Sequence, residues 1–484
     1  MGAVPSSGIT ARHGSKGADV AQGPLHEGKQ PALRAVLVPL ALAQFICSFA
    51  GSNMNVMIND ISKDLDTTVQ GVQTAITLFL LVMAALMIPG SKLSDRWGRK
   101  RCFTMGLAVY GVGALLSALS PGLGILILGN SVLEGVGSAL LIPPVYILTT
   151  LLFTDLQSRA RAFGRISGMG GIGAATGPLI GGLITTAISW RAAFLFQTAV
   201  IVAIVLLSRK LVDPLPPDPT RPFDTVGAVL SAVGMLLVVV GILQAGDNRL
   251  LMVVLLALGA ALLFWFFLHI RARERAGKEP LLSTELFRNH TSNLGLITQN
   301  IQWLLLLGIS FVVSVFLQTV RGYNAIQTGV IFTAATVGIL ASSLGAERFA
   351  GRRTQKSLIL AGFITTIAGI GLLIGLVVAS DTILAFVPGL LLIGLGVGVM
   401  LTPSVNVVQS AFPEDLQGEI SGLSRSVSNL GSSLGTAIAG TILVSDLASG
   451  NRSYALAMAS LAVIGLLGMG AALLLPSNPV PQQA

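Results

Sequence analysis

Apolar residues in this chain come in long runs, each near the twenty or so residues a helix needs to cross a bilayer. The runs lie near 35–57, 71–90, 102–119, 122–152, 162–187 and 191–208, then 225–244 and 249–270. A last set lies near 293–319, 328–347, 357–379, 382–410, 418–446 and 453–475. The pattern predicts an all-α integral membrane protein with about 14 transmembrane helices.

Basic residues test that count independently. With the N-terminus in the cytoplasm, the outer loops hold Lys63, Arg191, Arg249, Arg321 and Arg452, five of the 30 Lys and Arg. A missed or invented helix would scramble this bias. The split predicts a multi-pass protein with both termini cytoplasmic, and the membrane expected is a bacterial plasma (inner) membrane. Composition agrees: 53% of residues are hydrophobic, 11% are charged and mean hydropathy is +0.81. A soluble domain carries about a quarter charged residues. The net charge of +9 sits in short loops, where anionic lipid and topology account for it, so no nucleic-acid partner is expected. Cys47 and Cys102 fall in or beside apolar runs and suggest neither a disulfide framework nor a metal site.

Sliding the chain on itself by 260 residues puts Pro143 on Pro403, Asp155-Leu156-Gln157 on Asp415-Leu416-Gln417, Arg165 on Arg425 and Gly171 on Gly431. The runs therefore divide into two pseudo-symmetric six-helix bundles plus two inserted helices. Residues 1–34 read as a disordered cytoplasmic tail, 35–208 as the N-terminal bundle and 209–224 as a cytoplasmic linker. Residues 225–270 are the inserted pair, 271–292 a second linker, 293–476 the C-terminal bundle and 477–484 a short tail. Two homologous membrane halves with a site between them is the plan of a secondary transporter.

The loop after the second run reads Gly90-Ser91-Lys92-Leu93-Ser94-Asp95-Arg96-Trp97-Gly98-Arg99-Lys100-Arg101. Topology alone explains the basic residues, but not Asp95 or Gly98. A carboxylate beside a helix start can take orphan N–H groups and Arg partners. Gly98 permits a tight reversal. The fifth run holds Gly173, Gly177 and Gly181 at four-residue spacing, with Pro178 and Gly182 between and after them. Such a stripe lets another backbone approach closely, in function or in ordinary packing.

The loop closely resembles the signature of the major facilitator superfamily, with Leu93, Asp95, Arg96, Gly98, Arg99 and Lys100 matching and Ser91 in place of the first glycine. Glu347 to Arg353 is a degenerate second copy. The glycine-proline pattern resembles the antiporter motif of drug-exporting facilitators, with a weaker partner at Gly431 and Gly435. With fourteen helices, the chain is similar to the fourteen-helix drug:proton antiporter family over nearly all its length beyond the tail. The resemblance implies that the Asp95 loop forms inter-helix salt bridges gating the cytoplasmic side. It also implies alternating access, no cofactor, a proton gradient as energy source, and lipid, protons and a small molecule as partners of a monomer.

The sequence departs from that family where Ala50 replaces an Asp in the first helix. In the fourth, Ser131 and Glu134 replace the Arg and Gln of an Arg-x-x-Gln-Gly element. The Arg is associated with proton handling there, which leaves Glu134 as the candidate proton or cation site. It is the only acid well inside a span, about 18 Å along its helix. A charge at mid-bilayer costs on the order of 3 kcal/mol on insertion scales. A carboxyl whose hydration alternates can load and release a proton, and one proton crossing 100 mV supplies roughly 2.3 kcal/mol. Glu134 could instead stay permanently protonated, bonded to Asn130 or a neighbouring helix, or contact a cationic substrate. Amides supply a candidate cavity: Asn53 and Asn55, Gln73, Asn130, Gln299, Asn300 and Gln302, and Asn406. Each could equally glue helices together.

His13, His26, His269 and His290 lie in tails, loops or span ends, and no HExxH helix, Gly-x-Ser-x-Gly elbow or Walker loop occurs. An enzyme and an ATP-driven pump are excluded on these grounds. The reading is a proton-coupled exporter of small amphipathic molecules or drugs. The alternatives are export of one metabolite, peptide or lipid, proton-coupled import and, remotely, a receptor.

Overall fold

The computed structural model describes residues 33–153, 156–245, 248–349, 353–379, 382–413, 416–444 and 451–477. Inside lipid every backbone N–H and C=O must be bonded within the segment, and a helix does so without a partner. The described residues accordingly form fourteen long helices and no strand.

The first half contains α1 (Leu33–Asn53, prolonged through a 3-10 turn, Met54–Met57, into Ile58–Asp64), α2 (Val69–Trp97) and α3 (Arg99–Ala118). It continues with α4 (Leu123–Leu152, π-helical over Ile127–Glu134), α5 (Leu156–Ala187) and α6 (Trp190–Ser208). The inserted pair is α7 (Thr225–Leu243) and α8 (Arg249–Arg275). The second half contains α9 (His290–Val320), α10 (Ala325–Phe349), α11 (Gln355–Ala379), α12 (Ile383–Gln409), α13 (Gln417–Val444) and α14 (Asn451–Leu473). Twelve of these are long and apolar enough to span a membrane. The other two, α5 and α13, are 32 and 28 residues long but rich in Gly and Ser.

Helix ends run beyond the apolar runs wherever polar residues sit past the hydrocarbon edge. Thus α2 continues through Ser91–Trp97 and stops only at Gly98, whose φ of +94° suits glycine. The two tails, Asp155 and Asp415 of the repeat, and the core of the second-half loop copy at 350–352 lie outside the described residues.

The repeat is visible in helix pairing. In one half α1 packs on α5 and α6, α2 on α4, and α3 on α4 and α6; in the other α9 packs on α13 and α14, α10 on α12, and α11 on α12 and α14. The halves meet along α2–α13, α5–α10 and the outer part of α1 against α9. In the inserted pair, α7 leans on α2 and α13. Only 11% of the α8 spanning window is buried, so that helix faces lipid.

Candidate functional site

Between the halves lies a cavity of about 70 Å³. Leu80, Met83, Met87, Ile142, Trp303 and Leu307 form its apolar wall. Gln44, Ser48 and Ser52 on α1, and Arg425, Ser428, Asn429 and Ser432 on α13, form its polar wall. Away from the basic end that carries Asp95, the halves are sealed. A Cβ at Gly182 would collide with the Ala325 carbonyl, and one at Gly329 with the Pro178 carbonyl. Thr336 donates to the Ala175 carbonyl at 2.6 Å, and Gln318 binds the Asn55 carbonyl and the Asn59 N–H at 2.9 and 3.0 Å. Toward the basic end α5 and α10 part: a Cβ at Gly164, Gly168, Gly171 or Gly345 would meet no described atom within 4 Å.

Glu134 does not line this cavity. It points from α4 into the interior of the first half, fully buried against α3. Gly113 and Gly129 bring the two backbones together there, since a Cβ at Gly113 would sit 2.8 Å from the Glu134 nitrogen. Ser117 Oγ lies 3.5 Å from Glu134 Oε1, and the Tyr110 hydroxyl lies beside the carboxyl. Tyr110 gives its own proton to Gln197 Oε1 on α6 at 2.6 Å, so toward Glu134 its oxygen can only accept. Glu134 Oε2 has no hydrogen-bond partner among the described residues, and only as the neutral acid could it donate to the Tyr110 oxygen. Cys47 of α1 lines the cavity on one side and lies near Ser138, one turn beyond Glu134, on the other, so one α1 residue separates pocket from cavity.

None of the eight candidate amides lines the cavity in this conformation. Gln73 donates to the Thr436 and Ala437 carbonyls across the halves at 3.1 and 3.3 Å. Gln299 bonds Ser428 and Ser424, both at 2.9 Å, Asn300 the Val427 carbonyl at 2.8 Å, and Gln302 accepts from Ser404 at 2.8 Å. These four serve helix packing. Asn53, Asn55 and Asn130 are buried with side-chain atoms that lack partners, and Asn406 is exposed. Ala50 is buried in α1, and Ser131 ties α4 to α2 through the Ala75 carbonyl at 2.7 Å.

At the basic end, Asp95 pairs with Arg99 at 2.6 Å and with Arg221 of the linker at 3.1 Å. The orphan N–H groups opening α3 go to Asp213 rather than Asp95: its Oδ2 accepts from Arg99 N at 2.6 Å and Lys100 N at 3.3 Å. Asp95 sits on the last turn of α2 and reaches side chains, whereas the linker brings Asp213 over the start of α3. Lys100 donates to the Arg209 carbonyl at 3.3 Å, and Arg96 is half-buried beside them. The ion pair that joins the halves is Lys92 to Glu419 of α13 at 2.7 Å, with Glu279 at 3.1 Å. Lys92 stood in the basic run without any mark distinguishing it; Glu419 carried no local signal at all.

The α5 glycines work as a groove. Gly173 faces the Phe45 backbone, Gly177 the Ser52 hydroxyl and Gly181 the Asn53 Cβ at 3.0 Å, all on α1, while Gly182 and Pro178 meet α10. Gly431 and Gly435 of α13 meet the Asn300 and Leu304 backbones of α9 in the same way. The polar stripe of α13 was legible in principle, because 425, 428, 429 and 432 share one helix face.

The chain matches the Major Facilitator Superfamily over residues 40–436. It is 30% identical over 427 residues to a puromycin resistance protein of Streptomyces alboniger, covering 86% of this chain and 83% of that protein. It is 27% identical over 421 residues to multidrug resistance protein Stp of Mycobacterium tuberculosis, covering 85% and 76%. A peptide transporter POT crystallised with sulfate superposes with a TM-score of 0.66 at 16% identity, covering 90% of this chain and 93% of that one, a likeness of fold alone.

Proposed function

Because the chain belongs to the major facilitator superfamily of membrane transporters, we propose that it is a proton-coupled exporter that moves small amphipathic molecules through the cavity between its halves. The names of the relatives, resistance proteins for puromycin and for many drugs, favour export. The basic end is then cytoplasmic and the membrane is the bacterial plasma membrane, with a monomer as the working unit.

Glu134 carries the coupled part of the reading. A carboxyl with no basic partner is tolerable in hydrocarbon as the neutral acid, and becomes ionisable only when water reaches it. Burial among Tyr110, Ser117 and Gln197 keeps Glu134 from water while the far side is sealed. Rocking of the halves strains the α3–α4 contact at Gly113 and Gly129, hydrates the pocket and releases the proton. Cys47 stands between the cavity and that pocket. Direct substrate contact by Glu134 is the weaker reading, since the side chain faces away from the cavity.

The test is flux of a panel of amphipathic dyes into proteoliposomes under an imposed pH gradient. Glu134→Gln keeps shape and bonding but cannot exchange a proton. It should abolish pH-driven flux at unchanged protein level, and undiminished flux would overturn the assignment.

A further inference from the structure

We infer that the cavity selects amphipathic monoanions, carboxylates carried on an apolar or aromatic body, with Arg425 as the residue that holds the charge. The inference rests on the exporter reading and names its substrate class.

Arg425 is the only charged side chain among the described residues lining the cavity, and no described Asp or Glu lies with it. Its guanidinium stacks 4.7 Å over the Tyr146 ring and donates to the Tyr146 hydroxyl, which in turn donates to Gln44 Oε1 at 3.0 Å. No carboxylate pairs with it among the described residues. A guanidinium has five N–H donors in a rigid fork, and Tyr146 satisfies one edge of it. The rest open on the cavity beside Asn429 and Ser428.

A membrane-embedded cation without a counter-ion is costly, and such residues mark the path of a charged ligand. The planar fork fits a carboxylate in two-point fashion, and the Tyr146 stack fixes its plane. The facing wall of Leu80, Met83 and Trp303 takes the apolar body. A cationic ligand would meet a like charge in a site with no acid to offset it, which is selection by repulsion. Glu134 supplies no such offset, because it faces α3. The repeat counterpart of Arg425 is Arg165, nine residues from the cavity-lining Ala174 and so half a turn around α5. The cation therefore belongs to one half only, which suits a single negative group rather than a polyanion.

Three pyrene probes of one size make the test: pyrenebutyrate, its neutral amide, and the matching trimethylammonium. Equilibrium dialysis against the full chain in nanodiscs, with no gradient, measures binding apart from coupling, so its outcome is independent of the flux experiment. Pyrenebutyrate should bind about tenfold or more tighter than the amide, the gain of a charge-assisted pair, and the ammonium weakest. Arg425→Gln should level pyrenebutyrate with the amide, and a monodisperse elution profile of that variant in nanodiscs shows the fold intact. Arg425→Lys should restore part of the preference, the charge without the fork. Equal binding of butyrate and amide by the unaltered chain, or an undiminished preference in Arg425→Gln, would overturn the inference.

Discussion

The two halves share one set of helix pairings and almost none of their chemistry. In the first half α3 and α4 enclose a carboxyl; 260 residues on, the position of Glu134 is Gly394, packed against the Ala335 carbonyl with no room for a side chain. The contact at Gly129 has its counterpart at Gly389, where α12 meets Leu373 of α11. The second half has instead the cation that faces the cavity, Arg425, while its counterpart Arg165 turns aside. Packing is inherited by both copies because rocking needs matched surfaces. Charge is placed once in each, an acid behind one wall and a base on the other, so in the proposed mechanism proton and substrate need not compete for one group.

The largest effect that would break this division is the loss of pH-driven flux in Glu134→Gln described above. The matching change in the other half, Gly394→Ala, should damage folding before it touches coupling, because a Cβ there meets backbone. Measured side by side, flux per folded molecule should fall only in Glu134→Gln. Equal losses in both would reduce Glu134 to a packing residue.

Next in size come the glycine grooves, where the halves should differ in degree. A Cβ at Gly435 runs into the Leu304 carbonyl, which cannot turn away, while one at Gly177 meets chiefly the Ser52 hydroxyl, which can. Overpacking of this kind costs roughly 1–3 kcal/mol. Gly435→Ala should therefore lower Tm in detergent more than Gly177→Ala, and Gly168→Ala, in open space, should leave Tm unchanged. Reversal of that order would show that α5, not α13, is the tighter seam.

The inserted pair has no counterpart, and its anchor tests whether charge holds its two helices and the following linker together. Asp224 caps α7 through the Gly227 N–H at 3.0 Å, meets His269 of α8 at 2.9 Å and accepts from Leu281 N at 3.2 Å. Burial opposes its ionisation, but the Gly227 N–H, His269 and Arg273 outweigh that and hold the carboxyl below its ordinary 3.8. A group whose folded value is depressed stabilises the fold at neutral pH and ceases to as pH falls below 3.8 toward that value. Asp224→Ala should cost about 1–2 kcal/mol at pH 7, read as a lower Tm, and the gap from the unaltered chain should close in that acid range. A gap that persists unchanged below it would mean the loss is one of packing.

Helix number, the duplication and the α5 groove were legible because each rests on a period: apolar run length, a fixed offset, four-residue glycine spacing. The amides show where periodicity stops helping. Gln73 and Gln299 have the composition of cavity residues, yet their partners, Thr436 and Ser428, come from α13, far along the chain. Which face an amide presents depends on the register between helices, and no local pattern encodes it. Arg425 was visible only as a match in the repeat; its isolation from the described carboxylates is a property of the assembled cavity.

The smallest effect concerns the one ion pair, among the described residues, that takes a residue from each half. Lys92 of α2 lies between Glu419 of α13 and Glu279 of the linker, and Glu419 also accepts from Ser283 N at 3.0 Å. Seams elsewhere in α2–α13 are hydrogen bonds to carbonyls, such as Ser426 to Ala84 at 2.6 Å and Ser433 to Thr77 at 3.1 Å, so that interface is bonded along its length while α5–α10 is bonded only at its far half. Partly exposed pairs of this kind are worth about 0.5–1 kcal/mol, a two- to fivefold change in a conformational ratio. Glu419→Gln should raise the population with parted basic ends by that factor, read by distances between spin labels at Gly164→Cys and Gly345→Cys. Cys47, which lines the cavity, is replaced by Ala before labelling, and Cys102 is buried. Lys92→Ala, which removes both bonds, should shift it further. A shift in Lys92→Ala with none in Glu419→Gln would move the clasp from the opposite half to the linker, making the inserted pair, not the second bundle, what α2 holds.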